Sequence, residues 1–425
     1  MMIDIKQRLN LISLSLIASL GGFLFGYDTA VISGTLSMVR KQFELNAGME
    51  GWYVSSALLG CILGVSGAGW LSDKYGRKRV LLLTGALFSV SAIGCAMSQS
   101  FTTLVIYRLV GGLGVGIASM LSPLYISEIS PPAMRGRLVT LYQFAITIGI
   151  LSAYFVNVWL LNSSNDPGFE NMANLKLVFK EEVWRGMLGM EAVPAISFFI
   201  LILFIPKSPR WLVVKGKSDQ ASKILTRLVG IEEAKHEIAE IEDTLALEGG
   251  SWKMLLAPGI KMAVFIGVSL AVLQQFTGID AIIYYGPRIF EEAGFELSET
   301  LGGQVIIGII NVVFTVIAIF TIDVFGRKRL LLAGTTGMLL SLVLIGILFT
   351  TGNAGGMLLL SLILVFIACF AFSLGPVVWV ILSEIYPTKI RGRAMSIATI
   401  AVWIGTSIIG QLIPLQGPHV IPGQA

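Results

Sequence analysis

The sequence predicts an all-α membrane protein made of two related helix bundles around a central cleft. Three observations predict it. Apolar stretches long enough to cross a bilayer recur along the chain, charge is scarce, and two charged motifs return in the same order in the second half. Of the 425 residues 55 % are hydrophobic and only 13 % charged, and the mean hydropathy is +0.82. A soluble domain carries about twice that charged fraction. The 47 glycines fall within apolar runs, which suits close helix packing in lipid rather than disorder.

A spanning helix needs about 20 predominantly apolar residues. Eleven candidates meet this, at 11–34, 52–72, 79–98, 103–127, 138–160, 185–206, 260–285, 301–322, 328–350, 356–382 and 394–414. The first is too long for a cleavable signal, and Tyr27 and Asp28 stand where a cleavage site would lie. With the N-terminus cytoplasmic, 23 of the 30 Lys and Arg fall in cytoplasmic segments, and five (Arg40, Lys41, Lys176, Lys180, Arg288) fall outside. That asymmetry predicts a multi-pass protein of the cytoplasmic membrane with its N-terminus inside. Cys61, Cys95 and Cys369 lie in apolar spans at no metal spacing and read as small packing residues.

The spans divide into an N-terminal bundle (1–206), a linker (207–259) and a C-terminal bundle (260–425) with five visible spans. In the linker Ile224, Leu228, Ile231, Ile238, Ile241 and Leu245 follow helical spacing between acidic residues, which predicts short amphipathic helices under the bundle. About 50 residues is small for an independent core, so no catalytic domain is expected there. His236 reads as solvated surface.

The repeat is carried by two motifs. Asp73-Lys74-Tyr75-Gly76-Arg77-Lys78-Arg79 recurs as Asp323-Val324-Phe325-Gly326-Arg327-Lys328-Arg329. Ser127-Glu128-Ile129-Ser130-Pro131, ending in Arg135-Gly136-Arg137, recurs as Ser383-Glu384-Ile385-Tyr386-Pro387, ending in Arg391-Gly392-Arg393. Plain cytoplasmic anchoring explains the basic residues but not the fixed Asp and Gly. A Gly permits a tight turn and an Asp can cap a helix or pair with an Arg. Asp73, Arg77, Glu128, Arg135, Asp323, Arg327, Glu384 and Arg391 are therefore candidates for a cytoplasmic gate.

Charges inside spans are costly in lipid and usually functional. Asp28 lies late in the first span, Arg108 early in the fourth and Glu191 early in the sixth. At about 1.5 Å per residue, each sits on the order of 10 Å below the extracellular boundary. Three charges at one depth invite pairing. A static pair that only fixes helix packing is one reading. The other is a carboxylate controlled by a movable arginine: ionised with Arg108 close, protonated in a desolvated site once Arg108 withdraws. Asp28 is then the titrating group of a proton-coupling set with Arg108 and Glu191.

Polar amides mark the expected substrate path. Gln143 lies in the fifth span, Gln274 and Gln275 in the seventh and Asn311 in the eighth, with Asp280, Tyr284 and Tyr285 beyond Gly278. Amides donate and accept together, as a neutral polyhydroxylated solute requires. A cation path would show clustered carboxylates and an anion path clustered arginines. Trp379 and Trp403 offer flat apolar faces for a sugar ring. Any one amide or tryptophan alone reads more readily as helix packing; the set on facing helices favours a substrate site. Gly278 and Gly375-Pro376 would let the seventh and tenth spans break or bend.

In GGFLFGYDTAVISG (21–34), the two turn motifs, the RGR segments, QQFTGIDAIIYY (274–285) and GPVVWVILSEIYP (375–387), the chain resembles the sugar porter family of the major facilitator superfamily. Among these it is similar to bacterial xylose–proton and other pentose or hexose symporters. The resemblance implies twelve helices in two six-helix halves and alternating access by rocking of the halves. It implies sugar contacts at Gln143, Gln274, Gln275, Asn311, Trp379 and Trp403, and proton coupling at Asp28 and Arg108 with Glu191 beside them. The uncoupled animal facilitators typically have Asn in place of Asp28, which favours symport.

Three departures stand out. Asp280 replaces a usual sugar-binding Asn and can donate only when protonated. Lys207 replaces a usual Glu after the sixth span, which puts that latch in doubt. After Pro414 the chain is too short and too rich in Pro and Gly to cross again, and reads as a truncated or frame-disrupted form of a twelve-helix parent.

The expected function is secondary active import of a monosaccharide with a proton. A proton-independent facilitator, an inactive truncated form and a non-transporting sugar receptor are the alternatives. No nucleophile or metal constellation appears, so no enzyme activity or cofactor is expected. The expected partners are sugar, proton and lipid bilayer, with no nucleic acid and a monomeric state.

Overall fold

The computed structural model describes residues 4–164, 180–247, 255, 257–292, 295–352, 357–386 and 391–415. The expectation about a missing twelfth helix falls beyond residue 415, outside the described residues. Among these residues the helices are α1 (Ile5–Gln42), α2 (Ala47–Tyr75), α3 (Arg77–Met97), α4 (Phe101–Ile129), α5 (Pro132–Ser163), α6 (Val183–Gly189), α7 (Ala192–Ile202), α8 (Pro209–Val214), α9 (Ser218–Val229) and α10 (Ile231–Leu247). The second half adds α11 (Ile260–Phe276), α12 (Ile279–Glu292), α13 (Leu297–Phe325), α14 (Arg327–Thr350), α15 (Met357–Phe372), α16 (Leu374–Ile385) and α17 (Arg391–Leu415).

Among the described residues eleven segments are long and apolar enough to cross a bilayer, with α6–α7, α11–α12 and α15–α16 each forming one span. They follow the order read from the sequence. Large apolar side chains such as Phe204, Phe320, Val324 and Met357 point outward, each about three-quarters exposed. In water such a surface would aggregate; in lipid it is the expected exterior.

The duplicated turns are the same turn twice. α2 passes into α3 through Gly76 (φ 89°, ψ 150°) and α13 into α14 through Gly326 (φ 81°, ψ 149°). A positive φ at both positions is why glycine stands in both motifs.

Three spans are broken, and one physical cause accounts for two of the breaks. A proline cannot donate to the carbonyl four residues earlier, so the helix loosens there. Pro376 strands Phe372, and the tenth span parts at Ser373, two residues before the expected Gly375-Pro376. Pro194 denies the Met190 carbonyl its usual donor, so that it accepts from Val193 at 3.2 Å instead, and the sixth span parts at Met190–Glu191, a break the sequence reading did not anticipate. The seventh span parts at Gly278, at φ 88°, as expected.

Helix contacts are close where glycines face backbone. Gly112 of α4 lies against Ala57 of α2, and Gly116 against Cys61. Gly26 of α1 faces Ile146 of α5, and Gly149 of α5 faces Phe23 of α1. α8, α9 and α10 form the short helices expected of the linker, and α9 buries Ala221, Leu225, Leu228 and Val229. His236 is exposed.

The α2–α4 crossing generates a prediction. Gly112→Leu should destabilise the protein by about 1–3 kcal/mol, because the side chain must enter space held by the Ala57 backbone. Thermal melting in detergent checks this against Gly136→Leu, a position with open space around it.

Candidate functional site

Arg108 and Asp28 meet inside the first six spans. Arg108 Nη1 donates to Asp28 Oδ1 at 2.7 Å, and both side chains are almost fully buried. The Tyr53 ring lies 5.9 Å from the guanidinium carbon, so its face adds attraction for the cation. Tyr53 is itself fixed by a 2.8 Å bond between its hydroxyl and that of Thr35. Glu191 sits where α6 gives way to α7, 3 % exposed. It lies within electrostatic reach of both Asp28 and Arg108, yet its Oε1 has no hydrogen-bond partner.

The charge balance defines what this cluster can do. An arginine stays protonated, so one fixed positive charge faces two acids. The buried cluster is neutral when one of the acids holds a proton, and isolated charge is costly there. Of the three charges predicted to associate, two pair directly and the third stands beside them with a vacant oxygen. Arg185 belongs elsewhere. It bonds to Glu182 and to the carbonyls of Ala96 and Ser98, tying α6 to the end of α3.

The predicted sugar contacts lie on α5, α11, α12, α13, α16 and α17, in different conditions. Gln143 on α5 is half-buried, and Gln275 and Asn311 are buried on α11 and α13. Gln275 packs beside Gly405 of α17. Gln274 is partly committed: its Nε2 donates to the Leu374 carbonyl at 2.8 Å, across the break in the tenth span. Its carbonyl end remains available. Asp280 Oδ2 accepts from Thr406 Oγ1 at 3.1 Å, and Tyr284 is buried about one helical turn further along α12. Tyr285 is engaged, donating to the Gly410 carbonyl at 2.6 Å. Trp403 packs on Phe25 of α1 with ring centroids 5.2 Å apart, and its indole nitrogen is buried without a partner. Trp379 is half-buried on α16.

At the end carrying the repeated turns, Arg77 is the hub. It binds Asp73 at 3.0 Å and Glu128 at 2.9 Å, and its Nη1 also reaches the Ser72 carbonyl. Glu128 also accepts from Ser208, the cap of α8. Trp211 lies over Gly76 and donates to the Asp73 carbonyl at 3.0 Å. The segment that carries Lys207 is therefore docked despite the substitution. In the second copy Arg327 binds Glu384 at 2.8 Å. Both arginine–glutamate pairs lie within one half rather than between halves. Arg135 reaches the Ser127 carbonyl and, at 3.8 Å, Glu237 of α10. The side chains of Asp323 and Arg391 lie outside the described residues.

Sequence reasoning missed Thr406, Gln411 and Glu50. Gln411 accepts from Ser55 of α2 at 2.8 Å and donates to the Gly48 carbonyl. Glu50 falls two residues before the assigned second span, and it is buried against Arg288 of α12. Its place in the first turn of a helix was the available signal.

A family model described as "Sugar (and other) transporter" matches residues 14–418. The chain belongs to this sugar transporter family. The transporter is 42 % identical over 406 residues to the arabinose-proton symporter of Bacillus subtilis, covering 95 % of this chain and 85 % of that protein. It is 39 % identical over 430 residues to the D-xylose-proton symporter of Escherichia coli K12, with the same coverage. It is also similar to the partially occluded, inward-open structure of the xylose transporter XylE from E. coli. That likeness has a TM-score of 0.83 at 36 % identity, covering 96 % of this chain and 93 % of that one. The fold is the expected major facilitator fold, with two pseudo-symmetric bundles around a central cleft.

Glu237 generates a prediction of pH dependence. Burial pushes its carboxyl above the ordinary glutamate range, Arg135 pulls it back, and Glu240 and Glu233 push it up. The docked helix therefore binds more protons than the undocked one, so docking of α10 weakens as pH rises above the ordinary glutamate value. Hydrogen exchange of α10 amides should quicken, beyond the intrinsic base-catalysed rate, across that window. Glu237→Gln should remove the dependence.

Proposed function

We propose that this transporter imports a monosaccharide, a pentose or hexose, together with a proton by alternating access. The observation that carries the reading is the buried Asp28–Arg108 pair with Glu191 beside it. It supports the reading because two buried acids face one permanent cation in the first half. The free or partly free amides of Gln143, Gln274, Gln275 and Asn311 would hold the sugar, with Asp280, Tyr284, Tyr285, Trp379 and Trp403 around it. The names of the relatives agree in substrate class: arabinose, xylose and galactose with a proton, and glucose.

In this reading residues 1–206 and 260–425 are the two moving bodies and 207–259 the linker between them. The basic turns face the cytoplasm, as their positive charge favours, so the N-terminus is inside. The Arg77 and Arg327 clusters, with Arg135, hold helix ends together on that side. The protein works as a monomer in the lipid bilayer. Protonation of the Asp28 cluster releases Arg108 from its partner, and that change in packing is what biases the two bodies between their orientations.

Asp28→Asn tests the reading. In vesicles with an imposed proton gradient the variant should lose sugar accumulation above equilibrium, while sugar counterflow stays within about threefold of the parent. Accumulation that survives the substitution would remove Asp28 from coupling. Asp280→Asn should change the ratio of KM values for two sugars by about fivefold, as one hydrogen bond of about 1 kcal/mol does, with the accumulation ratio unchanged.

A further inference from the structure

The end of the molecule opposite the basic turns is shut by polar contacts, most of which converge on α12. Tyr154 of α5 donates to the Ile283 carbonyl at 3.5 Å, an oxygen left without its helical donor by Pro287. Tyr285 holds α17. Ser37 of α1 reaches Glu291 at 3.3 Å. One of these contacts is ionic: Arg288 Nη1 meets Glu50 Oε1 at 2.9 Å. Glu50 is 2 % exposed, and its other oxygen lies 3.6 Å from Arg40, which is 54 % exposed.

We infer that Glu50 and Arg288 are positioning residues of the transport cycle: their ion pair latches α12 against the first half and sets how often this mouth opens. The inference rests on the proposed alternating access but not on the identity of the sugar. Arg40 and Glu50 share the first half and stay together whichever way the mouth stands. Arg288 alone belongs to the other half. It rides on a helix hinged at Gly278, whose positive φ frees α12 from α11. A cavity of about 420 Å³ is lined by Ser37, Arg40, Lys41, Glu44, Leu45 and Glu291, and Arg40 links it to Glu50 at 3.6 Å. Water in that space can rehydrate both charges as α12 leaves, so the pair can break and re-form. A pair sealed away from water would have no such route and would act as a permanent weld.

Glu50 gains from closure more than Arg288 does. Its carboxylate is buried with two guanidiniums, and removal of Arg288 leaves it with only the longer contact to the exposed Arg40. The shut state then loses its main counter-charge, whereas the open state solvates the carboxylate freely.

Spin labels at Lys41→Cys on α1 and Ser298→Cys on α13, in a Cys369→Ala background, report the width of this mouth. Electron–electron distance measurements in lipid nanodiscs, with neither sugar nor a proton gradient, then test the latch independently of substrate. Glu50→Gln and Arg288→Gln should each raise the ratio of wide to narrow populations about tenfold. The double variant should move no further than the larger single change, and Arg288→Lys should keep the parent distribution. Should Glu50→Gln fail to insert, Arg288→Gln against Arg288→Lys decides alone. A parent-like distribution in the Gln variants, or a double variant that shifts by the sum of the singles, overturns the inference.

Discussion

A guanidinium that cannot lose its proton is held deep in a membrane protein, and the first half is arranged around that charge. Arg108 is 3 % exposed, so its positive charge must be answered by protein rather than by water. Asp28 answers it at 2.7 Å, the Tyr53 face adds to it, and Glu191 supplies a second acid. Two acids facing one permanent cation is an arrangement that holds a proton or lacks one by a whole unit of charge. A purely structural pair would need only one carboxylate. Glu191, with an unpartnered oxygen, is the feature that a static account leaves unexplained.

The backbone breaks place the remaining chemistry. Each is a position where a helix gives up its regular hydrogen bonding close to a polar group. Pro194 opens the sixth span beside Glu191. Pro376 opens the tenth span at Ser373, and the Gln274 amide binds the carbonyls exposed there, Leu374 at 2.8 Å and Gly375 at 3.4 Å. Gly278 separates α11, which carries the paired glutamines, from α12, which carries Asp280 and the tyrosines. The breaks between these elements therefore share their origin in two prolines and one glycine.

Much of this was legible in the residues. Eleven spans followed from apolar length, and the two-bundle fold followed from the repeated turns. Gly76 and Gly326 adopt the same backbone angles because the same motif builds both turns. The pairing of Asp28 with Arg108 followed from matching depth. The rest depended on geometry that a linear pattern does not contain. Tyr285 and Gln274 read as sugar contacts, but in this conformation they hold backbone carbonyls whose positions only the fold reveals. The turn arginines read as a latch, yet Arg77 and Arg327 each bind a glutamate of their own half. Glu50 went unremarked at a helix start, because its partner Arg288 lies more than two hundred residues away. Thr406 bonded to Asp280 was hidden for the same reason.

The central claim is that the charge cluster around Arg108 binds one proton per cycle and ties it to one sugar. The most direct test is the proton-to-sugar ratio of the unmodified transporter. In proteoliposomes, labelled-sugar entry and luminal acidification would be recorded together while the membrane potential is clamped. The account predicts one proton entering with each sugar, and a sugar distribution that settles at the full proton-motive force. Sugar entry with no accompanying acidification, settling at equal concentrations on both sides whatever the gradient, would contradict it.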